Sequence, residues 1–168
     1  QQVHPDEDGD PLAMNSTPRE PAYWQAVYEE GNPGWDKGEA APPLARVLGQ
    51  VEPPAGLAVL VPGCGFGHEA LLLARQGYAV TAVDFAPSAI AGLRQRAGVL
   101  SLTALERDLF SLGDEFAGHF DLVVEHTCFC AIPVELRDEY AQVMARVLGT
   151  GGQFLGLFYE TEREPGSA

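Results

Sequence analysis

The chain has 168 residues, 46% hydrophobic and 20% charged, which suits one domain with a sizeable core and is too apolar for a disordered segment. Its formal net charge is −14, and its ten basic residues are Lys37 plus scattered arginines, so no basic patch exists to hold a nucleic-acid backbone. The same acidity disfavours anionic membrane surfaces, and no apolar run approaches the roughly 18 residues of a membrane span.

The chain opens with a polar Pro/Gly/Asp stretch that has little to bury. Residues 1–19 are therefore expected to form a loose tail, with 1–13 a non-native remnant if Met14 is the natural start. No basic region followed by an apolar stretch marks a signal peptide. Three cysteines outside any repeating framework point to a reducing, cytoplasmic setting.

Residues 20–30, "EPAYWQAVYEE", set Tyr23, Trp24, Val27 and Tyr28 at helical spacing and predict an amphipathic helix. The loop "GNPGWDKGEAAPP" follows, then a short helix over 44–50, and Pro53, Pro54 and Gly56 punctuate the chain before the main fold. From there strands and helices alternate. Residues 57–61 form a continuous apolar strand, 69–76 a helix, 78–83 a strand, and 87–97 a helix with Pro87 in its first turn. A weaker strand is predicted at 101–105 and a strong one at 120–124. A helix over 135–148 is expected to stop at "GTGG", ahead of a fifth strand over 153–159. The order implies an α/β, Rossmann-like, doubly wound parallel sheet in one domain, with right-handed crossovers.

In such a sheet ligands bind beyond the carboxyl ends of the strands, where strand order reverses. "LVPGCGFGHEA" lies there. Gly63 and Gly65 are expected to bare backbone amides toward a ligand, and Gly67 to let the helix pack closely on the sheet. The alternative is a tight turn with no ligand. Asp84, ending the second strand in "VTAVDF", suits both hydroxyls of a ribose, or else caps the next helix. The glycine spacing is G-x-G-x-G, not the G-x-G-x-x-G that favours a pyrophosphate. Asp108 in "ERDLF" can accept a hydrogen bond from an adenine amino group, with Leu109 and Phe110 as apolar cover, or cap a turn. A ribose and an adenine without phosphates point to S-adenosylmethionine.

The stretch "LVPGCGFGHEALLLARQGYAVTAVDF" resembles the cofactor region of the thiopurine S-methyltransferase family, including its thiol and halide branch. The resemblance continues in "GNPGWDKGEAAPPL" and "FDLVVEHTCFCAIPVELR", and spans about residues 22–160. It implies a class I methyltransferase domain over 20–168, with a helical lid at 20–55 over a core at 56–168. It also implies transfer of a methyl group from S-adenosylmethionine to a small soft nucleophile, leaving S-adenosylhomocysteine.

Carried onto this chain, the resemblance puts Trp35, Gly63, Cys64, Gly65, Asp84, Phe85, Asp108, Leu109 and Glu125 at the cofactor. It puts Trp24, Tyr28 and His126 at the acceptor. An aromatic cluster suits a sulfonium, because ring faces attract a desolvated cation; simple packing of the first helix is the alternative for Trp24 and Tyr28. His126 stands where the family often has tyrosine or arginine, and Tyr28 where the halide branch usually has tryptophan. Both depart from the halide pattern. His126 is either a proton acceptor for a thiol or a pocket wall. Glu125 is expected to orient the cofactor or a neighbouring backbone. Cys128, Cys130 and His126 are too few for a closed zinc site, so no metal is expected.

The family's sheet normally continues past the fifth strand with two more, whereas this sequence runs out at "YETEREPGSA". An apolar fifth strand at an open edge would favour pairing with another copy, so a monomer or a homodimer is expected. Two readings stand beside methyl transfer: a cofactor-binding protein without turnover, and a nicotinamide-dependent reductase.

Overall fold

The computed structural model describes residues 20–31, 33–50 and 56–158. The expected tail at 1–19, the punctuation at Pro53 and Pro54, and the last residue of the predicted fifth strand lie outside the described residues.

Five strands, β1 (Ala58–Pro62), β2 (Ala79–Asp84), β3 (Thr103–Glu106), β4 (Phe120–His126) and β5 (Leu148–Leu157), form one sheet in the order β3-β2-β1-β4-β5. Every adjacent pair is parallel. The chain leaves β1 toward β2 and β3, then returns to place β4 on the other side of β1. The switch point therefore falls between β1 and β4, as the alternating pattern implied.

Successive β1 side chains point to opposite faces, and both faces are covered. Val59 and Val61 pack with Leu71 and Leu73 of α3 (His68–Arg75), Ile90 and Leu93 of α4 (Pro87–Ala97), and Leu44 and Leu48 of α2 (Pro42–Leu48). On the other face Leu60 joins Leu112 of α5 (Leu112–Glu115), Cys128 of α6 (Cys128–Ala131), and Tyr140, Met144 and Val147 of α7 (Arg137–Val147). Burial on both sides is why β1 reads as a continuous apolar run.

The amphipathic helix at the amino end, α1 (Pro21–Glu29), rides above this core. Its Tyr28 is buried with Ala86 and Ala89 at the start of α4. Ala86, at the N-cap of α4, has no side-chain oxygen to offer; instead Gln25 Oε1 of α1 accepts the Ser88 backbone N–H at 2.9 Å. Docking of α1 thus satisfies an amide that the local sequence leaves open.

The carboxyl end departs from expectation. "GTGG" does not separate helix from strand: α7 ends at Val147 and β5 starts at Leu148, with a register irregularity against Phe120 and Leu122. A Cβ on Gly152 would stand 2.9 Å from Gly149 O and 3.1 Å from Phe120 O. Only a bare backbone fits that close approach, so these glycines bulge the strand instead of ending the helix. Among the described residues β5 pairs with β4 alone and forms one edge of the sheet; Phe154 and Phe158 stack there, exposed. Among the described residues no helix is long and apolar enough to cross a membrane.

Candidate functional site

The carboxyl ends of β1 and β4 open into one crevice. Gly63, Gly65 and Gly67 all take positive φ, at 54°, 52° and 80°. The loop is stitched to the protein more tightly than its composition suggested. Cys64 N–H donates to Val83 O, Gly65 N–H to Asp84 Oδ2, and Gly67 N–H to Cys64 O, each at 2.9 Å. These three amides are used internally, which corrects the expectation that Gly65 turns its amide toward a ligand. A Cβ on Gly63 would lie 2.5 Å from Cys128 Sγ, and one on Gly65 3.0 Å from the Tyr28 hydroxyl. The bare positions admit protein atoms. Gly67 is corrected too: its missing Cβ makes room for Leu93 of α4, 2.3 Å away, rather than for the sheet.

Asp84 braces the backbone on both sides of the crevice and lines the first cavity. It is buried, Oδ2 accepting from Gly65 and Oδ1 from the Ala86 N–H at 2.9 Å just before α4. A carboxylate has about four acceptor sites, so two hydrogen bonds leave capacity for ligand hydroxyls. Burial raises its pKa, and the N–H groups of Ala86, Gly65 and Phe85 pull it back only in part.

Two cavities flank the glycine loop. The first, about 450 Å³, is lined by Trp24, Tyr28, Trp35, Gly63, Asp84, Phe85, Asp108 and Leu109, together with Phe110 and the α6 segment. The second, about 540 Å³, takes Cys64, Gly65, Glu69 and His126 with the loop at Asp36–Glu39. Tyr28, Trp35, Gly63 and Thr127 line both, so the two cavities share this wall. Trp35 meets Trp24 and Tyr28 edge-on at centroid distances of 5.6 and 6.1 Å, and Tyr28 meets Phe66 at 5.1 Å. Burial, then the nearby Asp84 carboxylate, push the Tyr28 hydroxyl far above its usual range, so it stays protonated.

The expected site residues are thus divided, not scattered. Trp24 lines the first cavity, while Cys64, Gly65 and His126 line the second. Asp108 faces the first cavity and also accepts the Phe110 N–H at 2.9 Å, so it caps a turn as well. Glu125 lines neither cavity. It is buried, and its Oε1 accepts the N–H groups of Cys128 and Phe129 at 2.8 and 2.9 Å, so it braces the backbone of α6 and does not reach the cofactor space. Burial pushes the thiols of Cys64 and Cys128 well up, leaving them protonated and unreactive. Among the described residues no three His, Cys, Asp or Glu side chains gather as a metal group would.

Thr127 and Glu69 escaped sequence reasoning. Thr127 has φ 65°, a left-handed conformation that a β-branched residue seldom adopts, at the junction of the two cavities. No sequence signal announces it. Glu69 was hidden inside the predicted helix; in the fold its Oε1 lies 2.9 Å from His126 Nδ1 and 3.1 Å from the Ala41 N–H.

The chain is similar in sequence and in fold to known proteins. A thiocyanate methyltransferase from Arabidopsis thaliana is 33% identical over 140 residues, covering 81% of this chain and 60% of that protein. A probable thiol methyltransferase from the same plant is 30% identical over 147 residues, covering 85% of this chain and 64% of the relative. The chain thus spans about three-fifths of the length of these curated relatives. In fold it is similar to a Burkholderia thailandensis 1,6-didemethyltoxoflavin N1-methyltransferase solved with S-adenosylhomocysteine. That likeness has TM-score 0.65 and 23% identity, covering 83% of this chain and 63% of the other. The model of the thiopurine S-methyltransferase family matches residues 19–167, nearly the whole length, and by that match the chain belongs to this family.

Proposed function

We propose that the protein binds S-adenosylmethionine across the glycine loop and methylates a small soft nucleophile, a sulfur compound first among them. The observation that carries this reading is the pair of cavities that share Tyr28, Trp35, Gly63 and Thr127 as lining. The first offers Asp84, Asp108 and apolar cover to an adenosyl group, and the second is left for a small acceptor. Aromatic rings stand on the shared wall, as suits a sulfonium.

The residues fit the cofactor. Asp84 retains acceptor capacity for ribose hydroxyls, Asp108 offers a carboxylate at the adenine end, and Phe85, Leu109 and Phe110 give apolar cover. When bound, S-adenosylmethionine supplies an already activated methyl group. The chain's own contribution is to hold acceptor and donor in line at the shared aromatic wall and to exclude water. Such a task needs no strong acid–base pair at the methyl group. The plant relatives named for thiocyanate and thiol methylation support a sulfur acceptor.

Calorimetry with S-adenosylhomocysteine and NADH, followed by methyl-transfer assays on alkyl thiols, thiopurines, thiocyanate, iodide, and selenium and tellurium oxyanions, tests the proposal. Binding of the homocysteine product without NADH, and turnover of at least one sulfur acceptor, are expected. Preference for NADH would favour a reductase. Product binding with no turnover on any acceptor would favour an inert binding protein.

A further inference from the structure

Trp35 stands on the wall that both cavities share, yet it belongs to the loop at residues 33–41, between α1 and α2. Its ring meets Trp24 and Tyr28 edge-on and remains exposed, so burial holds it less firmly than a core side chain. Within the loop the chain is turned on itself. The Asp36 N–H donates to Pro33 O at 2.9 Å, the Gly38 N–H to Asp36 Oδ1 at 2.7 Å, and Lys37 Nζ to Gly34 O at 2.7 Å.

Two contacts fasten this folded loop to α3. His68 Nε2 lies 2.8 Å from Asp36 Oδ1, and the Ala41 N–H donates to Glu69 Oε1 at 3.1 Å. The place of these partners is informative. His68 and Glu69 are the first two residues of α3, directly after the glycine loop, and Glu69 Oε1 is also 2.9 Å from His126 Nδ1 at the end of β4. The helix that leaves the glycine loop therefore also holds the loop that carries Trp35. The His68–Asp36 pair is shielded, each side chain 17% exposed, so water competes weakly for its hydrogen bond. Fixing Asp36 restricts the backbone beside Trp35 and with it the direction in which the indole is presented. A ring ordered before the ligand arrives spares the ligand that ordering entropy on binding.

We infer that His68 is a positioning residue for the cofactor's sulfonium: it holds Asp36, and through Asp36 keeps the Trp35 ring on the wall shared by the two cavities. The inference rests on the methyl-transfer reading for the identity of the ligand. His68 lines the second cavity and not the first, so it acts on the adenosyl side only through the loop.

The first measurement needs no ligand. Lys37 is the only lysine of the chain and adjoins Asp36, so a lysine-specific endoprotease has one cutting place, inside this loop. The rate of cutting in the native protein reports how often the loop opens. His68→Ala is expected to speed it about fivefold or more, and His68→Gln, whose amide nitrogen can donate to the same oxygen, to restore much of the protection. The second measurement is calorimetry with S-adenosylmethionine and S-adenosylhomocysteine. His68→Ala should weaken the sulfonium ligand about threefold or more beyond its thioether product, as loss of a ring–cation attraction requires. Added to Trp35→Ala it should change that preference no further, because the two residues act as one unit. Should His68→Ala fold poorly, Asp36→Ala removes the same contact from the loop side and is read in the same two ways. Unchanged cutting, equal weakening of the two ligands, or a further loss of preference on top of Trp35→Ala overturns the inference and leaves methyl transfer standing. Failure of the unsubstituted chain to bind either ligand overturns the methyl-transfer reading, and the role assigned to His68 falls with it.

Discussion

Asp84 Oδ2 accepts the Gly65 backbone N–H at 2.9 Å, joining the end of β2 to the loop that leaves β1. One carboxylate therefore shapes the glycine loop and faces the first cavity. Asp84→Asn keeps one acceptor oxygen but turns an amide NH₂ toward a backbone donor. Because a hydrogen bond to a charged group contributes about 1.5–3 kcal/mol, S-adenosylhomocysteine affinity is expected to fall about 10- to 100-fold. Calorimetry reads this directly; a change below threefold would remove Asp84 from the cofactor site.

The hydrogen bond from Ser88 N–H to Gln25 ties α1 to α4 across 63 residues of sequence. Gln25→Ala is expected to cost about 1 kcal/mol, as loss of a helix cap does. If α1 acts as a lid, the same variant should also speed limited proteolysis near residue 31 while leaving far-ultraviolet circular dichroism unchanged. Unaltered proteolysis and stability would mean that Tyr28 and Trp24 suffice to dock the helix.

Gly67 and Gly77 allow a controlled comparison. Both have positive φ, 80° and 91°, but a Cβ at Gly67 would strike Leu93 at 2.3 Å whereas at Gly77 nothing lies within 4 Å. Gly77→Ala should therefore report the backbone cost alone, about 1 kcal/mol. Gly67→Ala adds overpacking of about 1–3 kcal/mol. Denaturant unfolding of the two variants measures the difference, and equal losses would show that Leu93 yields without cost.

Glu69 and Glu125 should shape acid stability in opposite directions. In Glu69 hydrogen bonding outweighs burial and the folded pKa is lowered, so its contribution is present above the unfolded value near 4.5 and lost as pH falls through the folded one. In Glu125 burial dominates its hydrogen bonds and the pKa is raised, so its favourable contribution is complete below the unfolded value and lost as pH rises through the folded one. Relative to the unsubstituted protein, Glu69→Gln is thus expected to look worse at about pH 7 than at about pH 4, and Glu125→Gln better. Urea melts at the two pH values test the signs, and parallel slopes would contradict both assignments.

Trp35 is 37% exposed yet touches both Trp24 and Tyr28 on the wall that the two cavities share. Trp35→Ala is expected to weaken S-adenosylmethionine binding more than binding of the uncharged S-adenosylhomocysteine, since a cation–ring attraction of about 0.5–2 kcal/mol applies to the sulfonium alone. Equal weakening of the two would assign Trp35 to packing.

The order of strands and helices, the position of the glycine loop and the grouping of Asp84 with the first cavity were all legible in the chain. Each rests on a local regularity. An apolar run such as 58–62, a proline in the first turn of α4, or an acid closing β2 has the same meaning wherever the sheet places it. The start of β5 was read less well than the end of α7, because whether glycines form a loop or bulge a strand depends on what lies across from them. Here that is Phe120 O, 3.1 Å from the position of a Gly152 Cβ. For Glu125 the sequence left two roles open, the cofactor or a neighbouring backbone, and the turn into α6 claims its Oε1 for two backbone amides.

What the sequence determined by itself is the framework, since periodicity and turn chemistry are properties of neighbours along the chain. The division of the site into two rooms, the left-handed turn at Thr127, and the partners of Gln25 and Glu69 came from tertiary structure alone. Glu69 and His126 are 57 positions apart and carry no mutual signal. Their contact exists because β4 returns beside β1, which brings the end of one strand against the helix that follows the other. Long-range closure of that kind is decided by the sheet as a whole, and no window of residues contains it.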